Sequence, residues 1–323
     1  MNLSFNKNED ALKLLISELQ HRQTVVENGG GDKKLQKQRD AGKMTARERI
    51  SYLVDQNKPC LEMGAFAGDG MYEEYGGCPG GGVVIVLAYV KGTQCIVVAN
   101  DATVKAGAWF PITGKKNLRA QQIALDNHTP IIYLVDSAGV FLPLQDEIFP
   151  DREHFGRIFR NNAVMSSLGI PQISAIMGSC VAGGAYLPIM SDESIIVKGT
   201  GSIFLAGSYL VKAAIGEDID NETLGGADTH SDISGVTDYK AEDDAEALTM
   251  IKGLVDKMGT FPKAGFDRKE SIAPMRPVEE VYGHVPFDGK PFDSMRIIEC
   301  LVDDGSWQAY KDTYGKTIMT GYA

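Results

Sequence analysis

The sequence predicts an α/β protein, and three observations support that fold class. Short runs of β-branched and apolar residues, typical of buried strands, alternate with longer amphipathic segments that are typical of helices. Turns built from small residues join a strand to the next helix at two successive places in the chain. The 323 residues, 43% hydrophobic and 23% charged, suffice for one large globular domain with appendages.

The N-terminal segment is predicted to be a polar helical arm. Its apolar residues recur at helical spacing and form one face, which comprises Leu12, Leu15, Ile16 and Leu19. Three glycines at 29–31 then interrupt the chain. Another helix is predicted to begin at Thr45, because Thr45 and Glu48 have the spacing of a capping box. We interpret the arm as a surface that packs against a neighbouring subunit.

The first strands are predicted at residues 83–90 and 94–99, joined as a hairpin. The most glycine-dense segment, residues 76–82, comes directly before the first of them. A phosphate-binding loop instead follows a strand and opens a helix. We therefore reject nucleotide binding by this segment.

A basic cluster follows the hairpin and runs into a predicted helix that carries Leu118 and Ile123. Its members are Lys105, Lys115, Lys116 and Arg119. The cluster is equally consistent with a solvated helix face and with a patch that attracts a polyanionic ligand, such as the phosphates of coenzyme A.

Two further strands, predicted at residues 130–135 and 171–177, each end in a turn of small residues. The first turn is residues 136–139, and the second contains Gly183 and Gly184 at the start of a helix. Glycine lets a backbone approach a ligand, and free N–H groups at a helix start suit an oxygen that becomes negative. Close packing alone would explain one Gly-Gly pair. Two turns at the same end of successive strands could aim N–H groups at one point, so we interpret them as an anion hole.

The remaining segments are shorter or less regular. A loop at 141–156, long and rich in aromatic residues, is predicted to be functional. Further elements are predicted as a strand at 193–197 and helices at 158–168, 209–215 and 245–258. The proline-rich residues 261–290 are interpreted as a linker, and residues 292–323 as one helix and one strand-like piece.

Composition excludes several classes of function. A net charge of -11 disfavours nucleic acid as a partner, because that binding depends on neutralising phosphates. The five cysteines and five histidines lack metal-ligand spacing, so no metal site is predicted and reduced thiols are expected. The sequence has no apolar run long enough for a membrane span and no signal or transit pattern at its start. The expected location is the cytoplasm.

Seven motifs together resemble one family, the β (carboxyltransferase) subunits of biotin-dependent acyl-CoA carboxylases, and are most similar to the methylcrotonoyl-CoA type. They lie at residues 43–49 (KMTARER), 71–80 (MYEEYGGCPG), 99–105 (ANDATVK), 133–139 (YLVDSAG), 149–158 (FPDREHFGRI), 177–186 (MGSCVAGGAY) and 224–227 (LGGA). The motifs are long and the resemblance covers nearly the whole chain.

The resemblance implies a crotonase-like fold of repeated ββα units, in a chain that transfers a carboxyl group from carboxybiotin to an acyl-CoA. It places Gly183 and Gly184, with Ala138 and Gly139 opposite, in an oxyanion hole for the thioester. Lys105, Lys115 and Arg119 are the implied coenzyme A contacts. Biotin would be carried by a partner subunit with biotin carboxylase and biotin carrier functions, and the carboxyltransferase domains would form a homo-oligomer.

The resemblance also implies a domain division. Residues 1–40 are the arm, 41–260 the carboxyltransferase N domain, 261–290 the linker, and 291–323 the opening of an incomplete C domain. Because the family's C domain supplies the hole for the biotin carbonyl, we expect little or no activity unless another polypeptide provides it. Two alternatives remain open: the α-type subunit of a biotin-dependent acyl-CoA decarboxylase, and a non-catalytic subunit that only binds coenzyme A. The acyl group also stays open, with methylcrotonoyl favoured over propionyl and acetyl.

Overall fold

The computed structural model describes residues 3–148, 152–259, 270–310 and 317–323. The chain divides into two compact units. The larger is Val25–Phe261, and the smaller combines Met1–Thr24 with Pro262–Ala323. Residues 25–40, assigned from sequence to the arm, therefore group with the larger unit. The functional domain boundaries after residues 40, 260 and 290 stay a prediction.

Among the described residues, nine strands belong to the larger unit. They are β1 (Leu61–Glu62), β2 (Val83–Val90), β3 (Thr93–Asn100), β4 (Ile131–Val135), β5 (Gln172–Ile176), β6 (Ser179–Val181), β7 (Glu193–Val197), β8 (Ser202–Phe204) and β9 (Tyr239–Ala241). The main sheet has the order β1-β2-β3-β4-β5-β7-β9, and β6 pairs with β8 in a small second sheet. The first three strands are antiparallel, and those from β3 to β9 are parallel. The predicted hairpin and the strands predicted at 130–135, 171–177 and 193–197 are all present.

Twelve α-helices occur in the described residues. They are α1 (Leu3–Glu27), α2 (Asp32–Asp40), α3 (Ala46–Leu53), α4 (Pro111–Asn127), α5 (Gln145–Ile148), α6 (His154–Ser167), α7 (Gly183–Ile189), α8 (Ser208–Ile215), α9 (Asn221–Gly225), α10 (Asp244–Lys257), α11 (Val281–His284) and α12 (Ser294–Leu301). The helices predicted at 158–168, 209–215 and 245–258 correspond to α6, α8 and α10. The predicted capping box also forms, since Glu48 N–H donates to Thr45 Oγ1 and Thr45 N–H donates to Glu48 Oε2.

Helices cover both faces of the main sheet because successive strand residues point to opposite sides. In β4, Ile132 and Leu134 pack into a core with α3 and α10. The alternate residues Ile131 and Tyr133 pack into a second core with α4, α6 and α7. Since β3, β4 and β5 are parallel neighbours, the loops that follow them emerge at one edge of the sheet.

The smaller unit differs from the sequence expectation at two points. Residues 278–284, part of the predicted linker, form a 3₁₀ turn and α11. Arg276 connects this segment to α12, because it pairs with Glu299 of α12 at 2.6 Å and with Glu280 at 3.3 Å. The C-terminal segment contains two paired strands, β10 (Gln308–Tyr310) and β11 (Thr320–Tyr322), rather than one strand-like piece.

The apolar face predicted for α1 is only partly buried, since Leu12 and Ile16 are half-buried while Leu15 and Leu19 are exposed. Leu15 and Leu19 keep 55% and 46% of their surface accessible, so the described chain leaves this half of the face uncovered. The expectation that it packs against a neighbouring subunit stays a prediction.

Candidate functional site

The two small-residue turns meet at the carboxyl ends of β4 and β5. Val181 N–H, at the end of β6 just before the second turn, donates to Ser137 O in the first at 3.2 Å. The contact depends on glycine, because a Cβ at Gly184 would lie 2.9 Å from Ser137 Oγ. A Cβ at Gly139 would likewise lie 2.7 Å from Val181 O. The structure therefore brings together the turns that the sequence analysis paired.

The second turn holds a strained residue and two donors that no described residue satisfies. Ala182 has φ 49° and ψ −119°, a conformation that usually requires glycine. Its N–H donates to Phe204 O at 3.1 Å, and its carbonyl accepts from Ala185. Across the described residues, no acceptor meets the N–H of Gly183 or of Gly184. Two adjacent backbone donors, at the half-buried Gly183 and the buried Gly184, thus lack a partner among the described residues.

The donors of the first turn already have acceptors. Ala138 N–H donates to Ala106 O at 3.0 Å, and Gly139 N–H donates to Ser137 Oγ at 3.2 Å. Ala138 and Gly139 therefore lie beside the second turn, but both amides already have acceptors. In this structure they contribute shape rather than free donors.

A third segment, which sequence reasoning did not assign to the hole, reaches the same edge from β3. Lys105, Ala106 and Gly107 have φ values of 50°, 55° and 69°, three consecutive left-handed residues. The first turn holds this segment through Ser137 Oγ, which donates to Gly107 O at 2.9 Å. Ala106 is exposed, and no acceptor in the described chain meets its N–H. The sequence feature that could have identified this segment is its position. It follows β3, just as the two turns follow β4 and β5.

The predicted basic cluster divides into two environments. Lys115 and Arg119 lie one turn apart on the exposed face of α4, and no described residue forms an ion pair with either. Lys105 is half-buried, with its side chain beside Gly76. Lys116 is buried and donates to Gly80 O at 2.8 Å and Val83 O at 2.6 Å. Burial lowers the pKa of Lys116 to about 8, so this residue holds the glycine-rich segment rather than facing a ligand.

Aromatic side chains flank the turns on both sides. Phe110 and Phe141 stack with ring centroids 4.2 Å apart, beside the loop that leaves the first turn. On the other side, the Phe155 ring lies 3.2 Å from the position of a Cβ at Gly183. Phe155 also packs against Trp109 at 4.6 Å. The start of the motif at 149–158 lies outside the described residues, which resume at residue 152.

The donors described at the site are backbone N–H groups. Among the residues that the structure describes, no group of three or more His, Cys, Asp or Glu side chains is placed to hold a metal ion. All five cysteines are free, and four of them are buried. None of the helices in the described part of the chain has the length and apolar character that crossing a bilayer requires.

Comparison with known families identifies the chain. The model of the carboxyl transferase domain matches residues 37–323, which include every segment of the site. The chain belongs to the carboxyl transferase domain family.

Relatives within this family agree closely in sequence. The chain is 47% identical over 315 residues to the biotin-dependent 3-methylcrotonyl-coenzyme A carboxylase β1 subunit of Mycobacterium tuberculosis, covering 97% of the chain and 59% of that protein. It is 48% identical over 311 residues to the mitochondrial methylcrotonoyl-CoA carboxylase β chain of Dictyostelium discoideum, covering 95% of the chain and 52% of that protein. The chain therefore spans between half and three fifths of the length of these relatives.

Solved structures confirm the crotonase-like fold of this carboxyl transferase domain. The β subunit of geranyl-CoA carboxylase from P. aeruginosa superposes with a TM-score of 0.86 at 31% identity, covering 99% of this chain and 59% of that chain. The transcarboxylase 12S structure, with methylmalonyl-coenzyme A and methylmalonic acid bound, gives 0.70 at 29% identity over 95% of this chain and 58% of that chain. The α/β class predicted from the sequence is likewise confirmed.

Proposed function

We propose that this chain is the acyl-CoA-binding part of the carboxyltransferase of a biotin-dependent acyl-CoA carboxylase, with 3-methylcrotonoyl-CoA as the favoured substrate. The relatives at 47% and 48% identity carry that activity in their names. The single observation in the structure that supports it is the pair of N–H groups at Gly183 and Gly184, beside the strained Ala182, for which the described part of the chain offers no acceptor.

The site suits the thioester of an acyl-CoA. Removing a proton from the acyl chain moves negative charge onto the thioester oxygen. Preorganised backbone donors stabilise such an oxyanion, and losing one donor typically costs about 100- to 1000-fold in kcat. We assign the N–H groups of Gly183 and Gly184 to that oxygen, with Ala138 and Gly139 shaping the opposite wall. Ala106 N–H is a further candidate donor.

The cations of the N-terminal half of α4 support a coenzyme A contact. Lys115 and Arg119 are exposed, lie on one helix face and lack ion pairs with described residues, so both can reach a phosphate. Lys105 adds a third charge at the segment that meets the first turn. The loss of one such contact is expected to weaken binding moderately rather than to abolish it.

The proposed reaction needs a partner. Carboxybiotin, held by a partner subunit, would supply the carboxyl group through cleavage of its N–C bond, and the freed nitrogen would take up the proton lost by the acyl carbon. We assign no residue of this chain to holding biotin. Apolar side chains follow β8, whose Phe204 O accepts from Ala182, and the exposed ones are Leu205, Tyr209, Leu210 and Ile215. Such a patch is typical of an interaction surface, which supports completion of the site by another polypeptide or another copy.

A carboxyl-transfer assay tests the proposal. The chain is joined to the C-terminal part of the Mycobacterium tuberculosis relative, combined with a biotin carboxylase and biotin carrier partner, and supplied with ATP and labelled bicarbonate. We expect label in 3-methylcrotonoyl-CoA, and less with propionyl-CoA, acetyl-CoA or geranyl-CoA. The same chimera with Gly184→Ala is the matched control. Binding of acyl-CoA without label transfer would favour the non-catalytic alternative.

The decarboxylase alternative has one observation in its favour. The chain is 31% identical over 316 residues to the methylmalonyl-CoA decarboxylase α subunit of Veillonella parvula. The 47% identity to the carboxylase subunit makes that the less favoured function. Release of CO₂ from methylmalonyl-CoA by the same chimera would make the decarboxylase the favoured function.

Cytoplasmic location stays our prediction, and the Dictyostelium relative is described as mitochondrial.

A further inference from the structure

A buried arginine lies behind the two turns and contacts both strand ends. Arg49 of α3 is only 1% exposed. Its Nη1 donates to Asp136 Oδ2 at 3.2 Å, its Nη2 to Met177 O at 3.0 Å, and its Nε to Asp244 Oδ2 at 2.8 Å. One guanidinium therefore joins the residue after β4, the residue after β5 and the start of α10.

Asp136 is the centre of this network on the side of the turns. It is the first residue after β4, and Lys43 Nζ lies 2.5 Å from the same oxygen that Arg49 contacts. Its own N–H donates to Asn100 Oδ1 at 3.4 Å, at the end of β3. A Cβ at Gly178 would collide with the Asp136 carboxylate, so that glycine leaves room for it.

The contacts fix the two strand ends relative to each other. Val135 pairs with Ile176 in the sheet, so Asp136 and Met177 occupy equivalent positions one residue beyond the ladder. The two turns begin at these residues and meet again through Val181 and Ser137. A side chain that contacts both starting points sets the direction in which each turn leaves the sheet.

Stability alone explains this network poorly. A buried ionic network is weak support for stability, because well-packed apolar side chains of similar volume are often as stable or more stable. Burial alone would lower the pKa of Arg49, but Asp136 and Asp244 together raise it, so the guanidinium keeps its charge. A charged group that makes several hydrogen bonds does what an apolar side chain does not: it fixes the geometry of the groups that it contacts.

We propose that Arg49 and Asp136 are positioning residues that hold the second turn so that the N–H groups of Gly183 and Gly184 converge on the thioester oxygen. The inference rests on the proposed function, because it needs an acyl-CoA in the site. Neither side chain touches the substrate. They act through the backbone that follows β4 and β5.

The test measures the bound carbonyl directly. The full chain is mixed with 3-methylcrotonoyl-CoA labelled with ¹³C at the thioester carbonyl, and the carbonyl stretching frequency is read by isotope-edited infrared spectroscopy. The variants are Arg49→Lys and Asp136→Asn. The matched control is Arg47→Lys, on the same helix, because Arg47 pairs with Glu62 at 2.7 Å and lies outside the network. Free coenzyme A is titrated into each protein alongside, and circular dichroism reports folding.

In the unmodified chain and in Arg47→Lys we expect the stretching frequency of the bound carbonyl to fall, because two converging N–H groups donate to its oxygen. In Arg49→Lys and Asp136→Asn we expect most of that shift to be lost while the affinity for free coenzyme A is kept. If the variants fold, bind coenzyme A and keep the full shift, the positioning role is overturned but the proposed function is not. Failure of both variants to fold would also overturn it, since the network would then be a requirement of folding. Absence of any shift in the original chain would contradict the proposed function itself, and the inference with it.

Discussion

At the scale of single residues, Lys116 shows how burial changes a side chain that the sequence groups with exposed neighbours. Its ammonium donates to Gly80 O and Val83 O, and its pKa falls to about 8 because water is excluded. A lysine with a lowered folded-state pKa disfavours folding below that pKa. The cost is relieved as pH rises, because the folded state releases a proton that the unfolded state still binds.

We therefore predict that stability rises with pH in a window set by Lys116. Between pH 8 and 10.5, the free energy of unfolding should rise by about 3 kcal/mol relative to a Lys116→Met variant, which lacks the titrating group. Urea unfolding at several pH values measures the difference. Lys115→Met, on the exposed face of the same helix, is the control and should show no such divergence. Parallel pH profiles for the original chain and Lys116→Met would contradict the prediction.

A pair of glycines gives the second residue-scale prediction. Gly184→Ala places a Cβ 2.9 Å from Ser137 Oγ and 3.1 Å from Ser137 O, so the turns must separate. We expect the free energy of unfolding to fall by about 1–3 kcal/mol, the usual cost of overpacking. Gly253→Ala in α10, where nothing lies within 4 Å of the new Cβ, should instead raise it by about 0.5–1 kcal/mol.

Urea midpoints of the two variants, measured side by side, check this contrast. If the two substitutions changed the free energy of unfolding equally, the turns could not be in the close contact on which the prediction depends.

At the scale of elements, α4 separates a buried structural face from the exposed face that we propose binds coenzyme A. Its buried side carries Lys116, Asn117 and Gln121, whereas Lys115 and Arg119 are exposed.

We predict that Lys115→Ala and Arg119→Ala each weaken coenzyme A binding by about fivefold to tenfold, the loss expected for one charge-assisted contact. Calorimetric titration at low and moderate salt measures it. The control is Lys257→Ala in α10, which packs on the opposite face of the sheet. If Lys257→Ala weakened binding as much, the effect would be general electrostatics rather than a site on α4.

The elements also show what the sequence could and could not predict. The strands and the hairpin follow from short apolar runs, and the start of α3 follows from the spacing of Thr45 and Glu48. The meeting of the two turns followed from their equivalent positions after successive strands. Which N–H groups stay unsatisfied could not be predicted, because Ala138 N–H is taken by Ala106, 32 positions away in sequence, in a pairing that leaves no periodic pattern. The Arg49 network was equally hidden, since its partners come from 87 and 195 positions away.

At the scale of the whole molecule, the larger unit contains both hydrophobic cores of the main sheet, the two turns and all of α4. We therefore predict that a fragment of residues 25–261 folds alone and binds 3-methylcrotonoyl-CoA about as tightly as the full chain. Circular dichroism checks the folding of the fragment, and calorimetric titration checks its binding of 3-methylcrotonoyl-CoA. A fragment that is unfolded, or folded without affinity, would show that residues of the smaller unit contribute to the fold or to the site.

The central claim is that the turns after β4 and β5 hold the thioester of an acyl-CoA. The most direct measurement is equilibrium binding of 3-methylcrotonoyl-CoA and of free coenzyme A to the full chain, to Gly184→Ala and to Gly253→Ala. We predict that the unmodified chain and Gly253→Ala bind the thioester more tightly than free coenzyme A, and that Gly184→Ala loses this preference but still binds coenzyme A. Absence of binding, or a thioester preference that survives in Gly184→Ala, would contradict it.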